Sequence, residues 1–301
     1  MLTRILYMFK RFPIKASILT VWICLLLLTQ SFSLIAQYGS FLFLGIVGAI
    51  FANATGAGGG VVFVPFFNQL ALSSETIVAT SFAIQCFGMT AGAITWYTHY
   101  CGLRSQPNNH VFLQWHSLHR GLIVSVPFSI CGVLVAQYLL YEYTSYIQSA
   151  LHFYFGLFSI ALALAIFGSI PLMRKQSSKS KMLIVDVIVL AFISLAGGII
   201  TAWLSIGVGE LVAVYLILRG FNIGFAIALA VILSSFTVLA AIVYHLWVSQ
   251  AVYWHIVLYA GAGAILGGMV AKHVVLRFSA IKLKVFFGTW VLVMGLAGLP
   301  I

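Results

Sequence analysis

The sequence predicts an all-α, polytopic integral membrane protein, and three observations carry that expectation. Hydrophobic residues make up 63% of the 301-residue chain and charged residues only 6%, against roughly a quarter charged in an ordinary soluble domain. Apolar runs of the length that spans a bilayer, about 17–25 residues, recur along the whole chain, and no polar stretch between them is large enough for a soluble domain. Two of the apolar segments are interrupted by glycines, in "TGAGGGVVFVPFF" from Thr55 to Phe67 and "IGVGELVAVYLI" from Ile206 to Ile217. Broken helices at corresponding places in two halves of a chain are a transporter pattern.

Taken in order, the first element is a basic segment, "MLTRILYMFKRFPIKAS", followed by an apolar stretch to about Ala36. That layout resembles a signal peptide, but the apolar part is long enough to span, so the expectation is a retained first helix over 18–36, with cleavage after Ala36 as the alternative. Residues 1–37 form this N-terminal part, and residues 38–301 form a single membrane domain. Within it an offset of 151 residues superimposes the two glycine stretches and sets Trp96 on Trp247. The expectation is therefore two repeats, 38–172 and 183–301. Each holds a glycine-broken segment, at 40–72 and 183–218, followed by three spans: 77–100, 119–141 and 149–171 in the first, 222–247, 253–272 and 284–300 in the second.

Charge decides how the repeats are oriented. The 15 Lys and Arg face four acids, a net +11. In a soluble protein this would suggest a nucleic-acid partner; among apolar spans it reads as orientation by positive cytoplasmic loops. If each broken segment crosses the membrane once, "RKQSSKSK" from Arg174 to Lys181 lands outside. If each enters and returns as a re-entrant pair of half-helices, all 15 cations fall on the cytoplasmic side. A re-entrant element plus three spans is an odd number of crossings, so the second repeat would be inverted relative to the first. The alternative is a pair of kinked full spans in parallel repeats. The expected location is the plasma (inner) membrane, multi-pass, with a cytoplasmic N-terminus.

Glycine costs roughly 1 kcal/mol relative to Ala in a helix interior, so Gly56, Gly58, Gly59 and Gly60 predict that the helix stops there. Backbone groups left open at membrane depth are tolerated only against protein or a water-filled cavity. A half-helix starting near Gly60 would aim its free N–H groups and positive dipole end into that space, which suits an anion. Gly207 and Gly209 hold the matching place in the second half. The candidate substrate-binding residues are thus Gly58, Gly59, Gly60, Gly207 and Gly209, with the hydroxyls of Thr80 and Ser81 in "ETIVATSFAIQCF"; these hydroxyls could equally bond back to their own helix. Asn53 and Thr55 are either further contacts or caps of the broken helix. For Gly263 and Gly267, four residues apart, close helix packing is the better reading.

Glu210 sits where the first half has Gly59. A charge at membrane depth costs about 2.5–3.5 kcal/mol on the insertion scale, so the residue is expected to be protonated or paired. It is a candidate proton-coupling group, or a structural acid bridging two helices. Cys24, Cys86, Cys101 and Cys131 form no CxxC pair and read as buried small apolar residues. Trp96, Trp247, Trp254 and Trp290 read as interfacial anchors, and histidines such as His245 as solvated or helix-end groups. No metal spacing, nucleotide-binding motif or nucleophile motif is visible, so no metal, cofactor or catalytic residue is expected.

With these residues in hand, the sequence resembles the sulfite exporter TauE/SafE family of membrane proteins. The resemblance rests on "GAGGGVVFVPFF", on "VATSFA" about twenty residues later, and on the weaker second copy "GVGELVAVYLIL", and covers about Phe41 to Gly298. The second copy departs from the glycine-rich pattern at Glu210 and Leu211. The resemblance implies a permease for small sulfur-containing anions such as sulfite, thiosulfate or organosulfonates. Its partners would be that anion and the lipid bilayer, with a homo-oligomer left open. The competing classes are a non-transporting membrane accessory or assembly protein and a passive anion channel.

Overall fold

In lipid every backbone polar group has to be satisfied within the protein, which leaves helices as the structure available to long apolar runs of this kind. The computed structural model describes residues 32–105, 110–140, 142–143, 146, 150–171, 179–278, 280–297 and 299. The N-terminal basic segment, most of the helix expected over 18–36, and Arg174 to Ser178 lie outside them. The chain divides into two units, Met1–Ser40 and Phe41–Ile301. In the first, the described residues form a short helix, α1 (Phe32–Tyr38). The other helices are α2 (Ser40–Thr55), α3 (Gly60–Asn68), α4 (Ser74–Arg104), α5 (His110–Trp115), α6 (Leu118–Leu134) running into a π-helical turn at Val135–Leu139, α7 (Leu151–Ser169), α8 (Ile184–Leu204), α9 (Val208–Leu218), α10 (Ile223–Trp247), α11 (Trp254–Arg277) and α12 (Ala280–Ala297). Among the described residues, six helical segments are long and apolar enough to cross a membrane.

The chain leaves helical geometry between α2 and α3 and again between α8 and α9, and both times it turns back. Laid end to end, the 21 residues of α8 and 11 of α9 would stretch to about 48 Å at 1.5 Å per residue. Yet Asp186 near the start of α8 accepts a hydrogen bond from Arg219 Nε, just past α9, at 2.6 Å. The Lys179 N–H likewise donates to the Gly220 carbonyl at 2.9 Å. In the first half, the ring of Phe41 near the start of α2 lies 6.1 Å from that of Phe66 and 6.2 Å from that of Phe67, near the end of α3. Each broken segment is a helical hairpin with its glycines at the tip.

Three contacts fix how the spans after the hairpins run. The Phe82 ring stacks on His245 at 5.3 Å, Cys86 Sγ approaches the Val238 carbonyl at 3.6 Å, and the Thr90 and Ser235 hydroxyls lie 3.3 Å apart. Rising numbers in α4 meet falling numbers in α10, so the two helices are antiparallel. Since α4 starts at the open end of the first hairpin and α10 at the open end of the second, those open ends lie at opposite ends of the bundle. Helices α7 and α12 run antiparallel too, with Gly156 against Gly295 and Phe167 against Gly288.

Packing is exchanged between the halves. A Cβ at Gly263 or Gly267 of α11 would overlap the carbonyls of Leu42 and Ile46 in α2, and one at Gly132 of α6 or Gly198 of α8 would overlap the carbonyls of Leu195 and Ser129 respectively. Small residues let backbones approach this closely where no hydrophobic effect drives helices together. Outward-facing apolar side chains such as Phe43, Ile94, Ile123, Phe192 and Leu164 complete a surface suited to lipid. The expectation that the cysteines are buried needs correction at two positions. Cys101 and Cys131 face outward, because apolar character in a bilayer does not imply a place in the core. His245 is a helix-end group, in the last turn of α10, and it is buried there, held by the Phe82 stack and by Ser249 Oγ, 3.2 Å from its Nδ1.

Candidate functional site

The first hairpin tip is built by a threonine and a glycine. Thr55 Oγ1 donates back to the Phe51 carbonyl at 2.8 Å and accepts the Ala57 N–H at 3.2 Å, closing the last turn of α2. Gly56 then takes a φ of +81°, open to glycine and strained for other residues. A helix start leaves its first N–H groups without helical partners, and here they find side chains from distant parts of the chain. The Gly58 N–H donates to Glu210 Oε1 at 2.8 Å, and the Gly59 N–H to Gln85 Oε1 at 2.8 Å.

The second tip follows the same logic with different residues. Ser205 ends α8 at a φ of +61° and Gly207 adopts +144°. The Gly207 N–H donates to Glu210 Oε2 at 2.8 Å, and the Val208 N–H to Thr201 Oγ1 at 2.9 Å. Glu210 stands in the first turn of α9 and so reaches back over its own helix start, where an acid is favoured by the exposed N–H groups and the dipole. Its second oxygen reaches the other hairpin. One carboxylate therefore joins the two breaks.

A serine and glutamine network surrounds this bridge. Gln85 Nε2 donates to Ser205 Oγ at 2.8 Å, to the Ser205 carbonyl at 3.2 Å and to Ser81 Oγ at 3.1 Å, and Ser205 Oγ donates to Ser81 Oγ at 2.9 Å. Gln85 and Ser81 are one turn apart in α4 and so share a face. Ser81, Gln85, Ser205 and Glu210 are at most 2% exposed. In this state the tips close on each other, with the N–H groups of Gly58, Gly59, Gly207 and Val208 all taken by side-chain oxygens.

Of the residues singled out from the sequence, Gly58, Gly59, Ser81, Gly207 and Glu210 come together here. Gly60 and Gly209 shape the meeting of the tips: a Cβ on Gly60 would overlap the Ser205 carbonyl, and one on Gly209 the Gly56 carbonyl and Ser234 Oγ. Thr80 is turned elsewhere, its Oγ1 accepting the Tyr253 N–H at 3.0 Å. Asn53 donates to the carbonyls of Ala49 and Gly88 and fills the space at Gly92. Trp96 is not an interfacial anchor; it is fully buried and donates its indole N–H to the Asn53 carbonyl at 3.2 Å, one of the last-turn carbonyls that α2 leaves open. Trp247 and Trp254, by contrast, are exposed. Sequence reasoning missed Gln85, Thr201 and Ser205. An amide in the middle of an apolar span, one turn after Ser81, was the available signal for Gln85.

Chemically, the site offers backbone donors and neutral side chains with no Lys or Arg among its contacts, and a carboxylate already rests on it. Among the described residues, no group of three or more His, Cys, Asp or Glu stands close enough to hold a metal. The family model described as Sulfite exporter TauE/SafE matches residues 41–298. The chain belongs to the sulfite exporter TauE/SafE family. The match takes in both hairpins and every residue of the network just described. Membership in TauE/SafE implies a membrane permease for sulfur anions. No curated protein and no solved structure matches the chain.

Proposed function

We propose that this TauE/SafE member is a secondary transporter that binds a small sulfur-containing anion, such as sulfite, thiosulfate or an organosulfonate, where the two hairpin tips meet. The observation that carries the reading is the seating of the Glu210 carboxylate on the N–H groups of Gly58 and Gly207. An oxyanion presents the same acceptor oxygens to the same donors. Gly59 and Val208 supply further N–H groups, and Gln85, Ser81 and Ser205 supply side-chain donors once their mutual bonds open. Helix starts from two directions favour negative charge without a fixed cation, and an anion held without a full positive charge can also leave.

The rest of the reading follows from topology. The hairpins are re-entrant, entering from opposite faces of the membrane, and the repeats are inverted, which the antiparallel run of α4 and α10 supports. The loops carrying Arg104, Arg120 and Arg219 then share the cytoplasmic side with the N-terminus. Alternating access would come from one repeat moving against the other around the tips.

The test is uptake of labelled sulfite by purified protein in liposomes, with and without an imposed pH gradient, beside Gly59→Leu. A Cβ at Gly59 already meets Phe63 at 2.7 Å and Gln85 Cγ at 2.9 Å, so a leucine would displace the Gln85 oxygen from the Gly59 N–H. Saturable uptake lost in the variant is expected, and accumulation driven by the gradient separates a carrier from a passive channel. Silence toward sulfite, thiosulfate and sulfonates would favour a membrane accessory protein.

A further inference from the structure

Glu210 is the acceptor that the two breaks share, and it is present once. The matching position in the first half is Gly59, so the carboxylate is not a feature of the repeat but an addition at the point where the tips meet. Its oxygens receive one N–H from each tip, both at 2.8 Å, and the residue is 1% exposed. The polar groups around it come from α4 (Ser81, Gln85), α8 and the turn after it (Thr201, Ser205) and α10 (Ser234, beside Gly209), and none of them is charged or titrates. The ion pair of Asp186 with Arg219 lies at the open end of the same hairpin. This carboxylate sits on the Gly58 and Gly207 donors assigned above to the transported anion.

We propose that Glu210 is a tethered occupant of the anion seat, displaced by substrate only as it takes up a proton, so that one proton crosses with each anion. The proposal rests on the reading of the tips as an anion site. The step balances: one proton adds to the carboxylate, the Gly58 and Gly207 N–H groups pass from the Glu210 oxygens to the arriving anion, and no other bond changes. Two anions sharing these buried donors would repel strongly, as two carboxylates sharing one site do, and a neutral carboxyl removes that repulsion. When the carrier returns empty, the ionised Glu210 resumes its place. Donors at membrane depth are therefore never left bare, a state lipid does not tolerate. A monovalent anion then moves without net charge, a divalent one with a single negative charge, and in both cases the proton and the anion travel in the same direction.

The experiment is calorimetric titration of the full chain in detergent with thiosulfate, which holds its charge near neutral pH, in two buffers of different ionisation enthalpy. It is run on the wild type, Glu210→Gln and Glu210→Gly, the last restoring the residue of the first half and covering the case of a glutamine variant that does not fold. Infrared difference spectra follow the carboxyl region as thiosulfate is added. The wild type is expected to take up about one proton per anion, with affinity falling as much as about tenfold per pH unit where Glu210 is ionised in the free protein, and to show a protonated-carboxyl band. The variants are expected to bind without proton uptake and without that band. Wild-type binding with no proton uptake, or proton uptake unchanged in the variants, overturns the tethered-occupant proposal and leaves the anion site standing. Absence of binding to thiosulfate, sulfite and a sulfonate in wild type and variants alike overturns the anion site itself, and this proposal with it.

Discussion

Asp186 and Arg219 lie 33 positions apart in sequence and 2.6 Å apart in space, and between them the chain travels to the centre of the bundle and back. The Asp186 carboxylate is fully buried and also takes the Tyr215 hydroxyl at 3.0 Å and the Leu183 N–H at 3.0 Å. Arg219 is about a third exposed, which weakens its side of the pair. Arg219→Ala should lower stability by about 1.5–3 kcal/mol, the usual cost of losing a hydrogen bond to a charged group, read as a drop in thermal midpoint in detergent. Asp186→Asn should cost a similar amount. The double variant should cost less than the sum, because each single change removes the same contact; strict additivity would mean that the contact does not hold the hairpin closed.

Gln85 is the hinge of the polar network, since its amide serves Gly59 on one hairpin and Ser205 on the other. Gln85→Leu keeps the size and removes every one of these bonds, leaving the Gly59 N–H and the Ser205 carbonyl buried without the Gln85 partner, while the Ser205 hydroxyl keeps Ser81. Each such group costs about 1–3 kcal/mol. The expected result is a clear loss of thermal stability with loss of sulfite flux in liposomes. Gln85→Glu, which keeps the acceptor for Gly59 but loses the donor for Ser205 and adds a charge beside Glu210, should bind anion more weakly still. Flux equal to wild type in both variants would remove Gln85 from the site.

How far the site could be read from the chain depends on the range of each interaction. The hairpin tips were legible because a contiguous glycine cluster is a local feature with one local consequence, the end of a helix. Glu210 stood out as a charge in an apolar run, yet its partner Gly58 is 152 positions away, and nothing local to either residue names the other. Thr80 and Ser81 are neighbours with equal claims on the sequence. Only the packing of α4 decides that Ser81 turns to the tips and Thr80 to Tyr253. Trp96 fits the pattern of a belt residue by type and position, and was misread because the open carbonyl of Asn53 that draws it inward belongs to another helix.

Glycines in this bundle should differ sharply in their tolerance of a single methyl group. At Gly60 a Cβ would meet the Ser205 backbone, and at Gly209 the Gly56 carbonyl, so neither neighbour can rotate away. Gly60→Ala and Gly209→Ala should each cost about 1–3 kcal/mol through overpacking and force the tips apart. Gly102, inside α4, has nothing within 4 Å of its Cβ position. Gly102→Ala should be neutral or stabilising by up to about 1 kcal/mol, from helix propensity alone. Thermal unfolding of the three variants checks the ordering, and equal effects would show that the tips are looser than their contacts indicate.

The antiparallel run of α4 and α10 makes a prediction that membrane sidedness can test. With other cysteines replaced, Thr90→Cys together with Ser235→Cys places two thiols where hydroxyls now lie 3.3 Å apart, and mild oxidation should join them. Pairing Thr90→Cys with a cysteine at Leu229 should give no crosslink, since six residues of helix displace it by about 9 Å along the axis. Native Cys101, exposed in the last turn of α4, sits beside Arg104 on the side that the positive-inside rule assigns to the cytoplasm. In a variant keeping Cys101 alone, a membrane-impermeant maleimide should label it in inside-out vesicles and not in intact cells. Labelling from the outside would reverse the orientation of the whole bundle, and with it the face from which each hairpin enters.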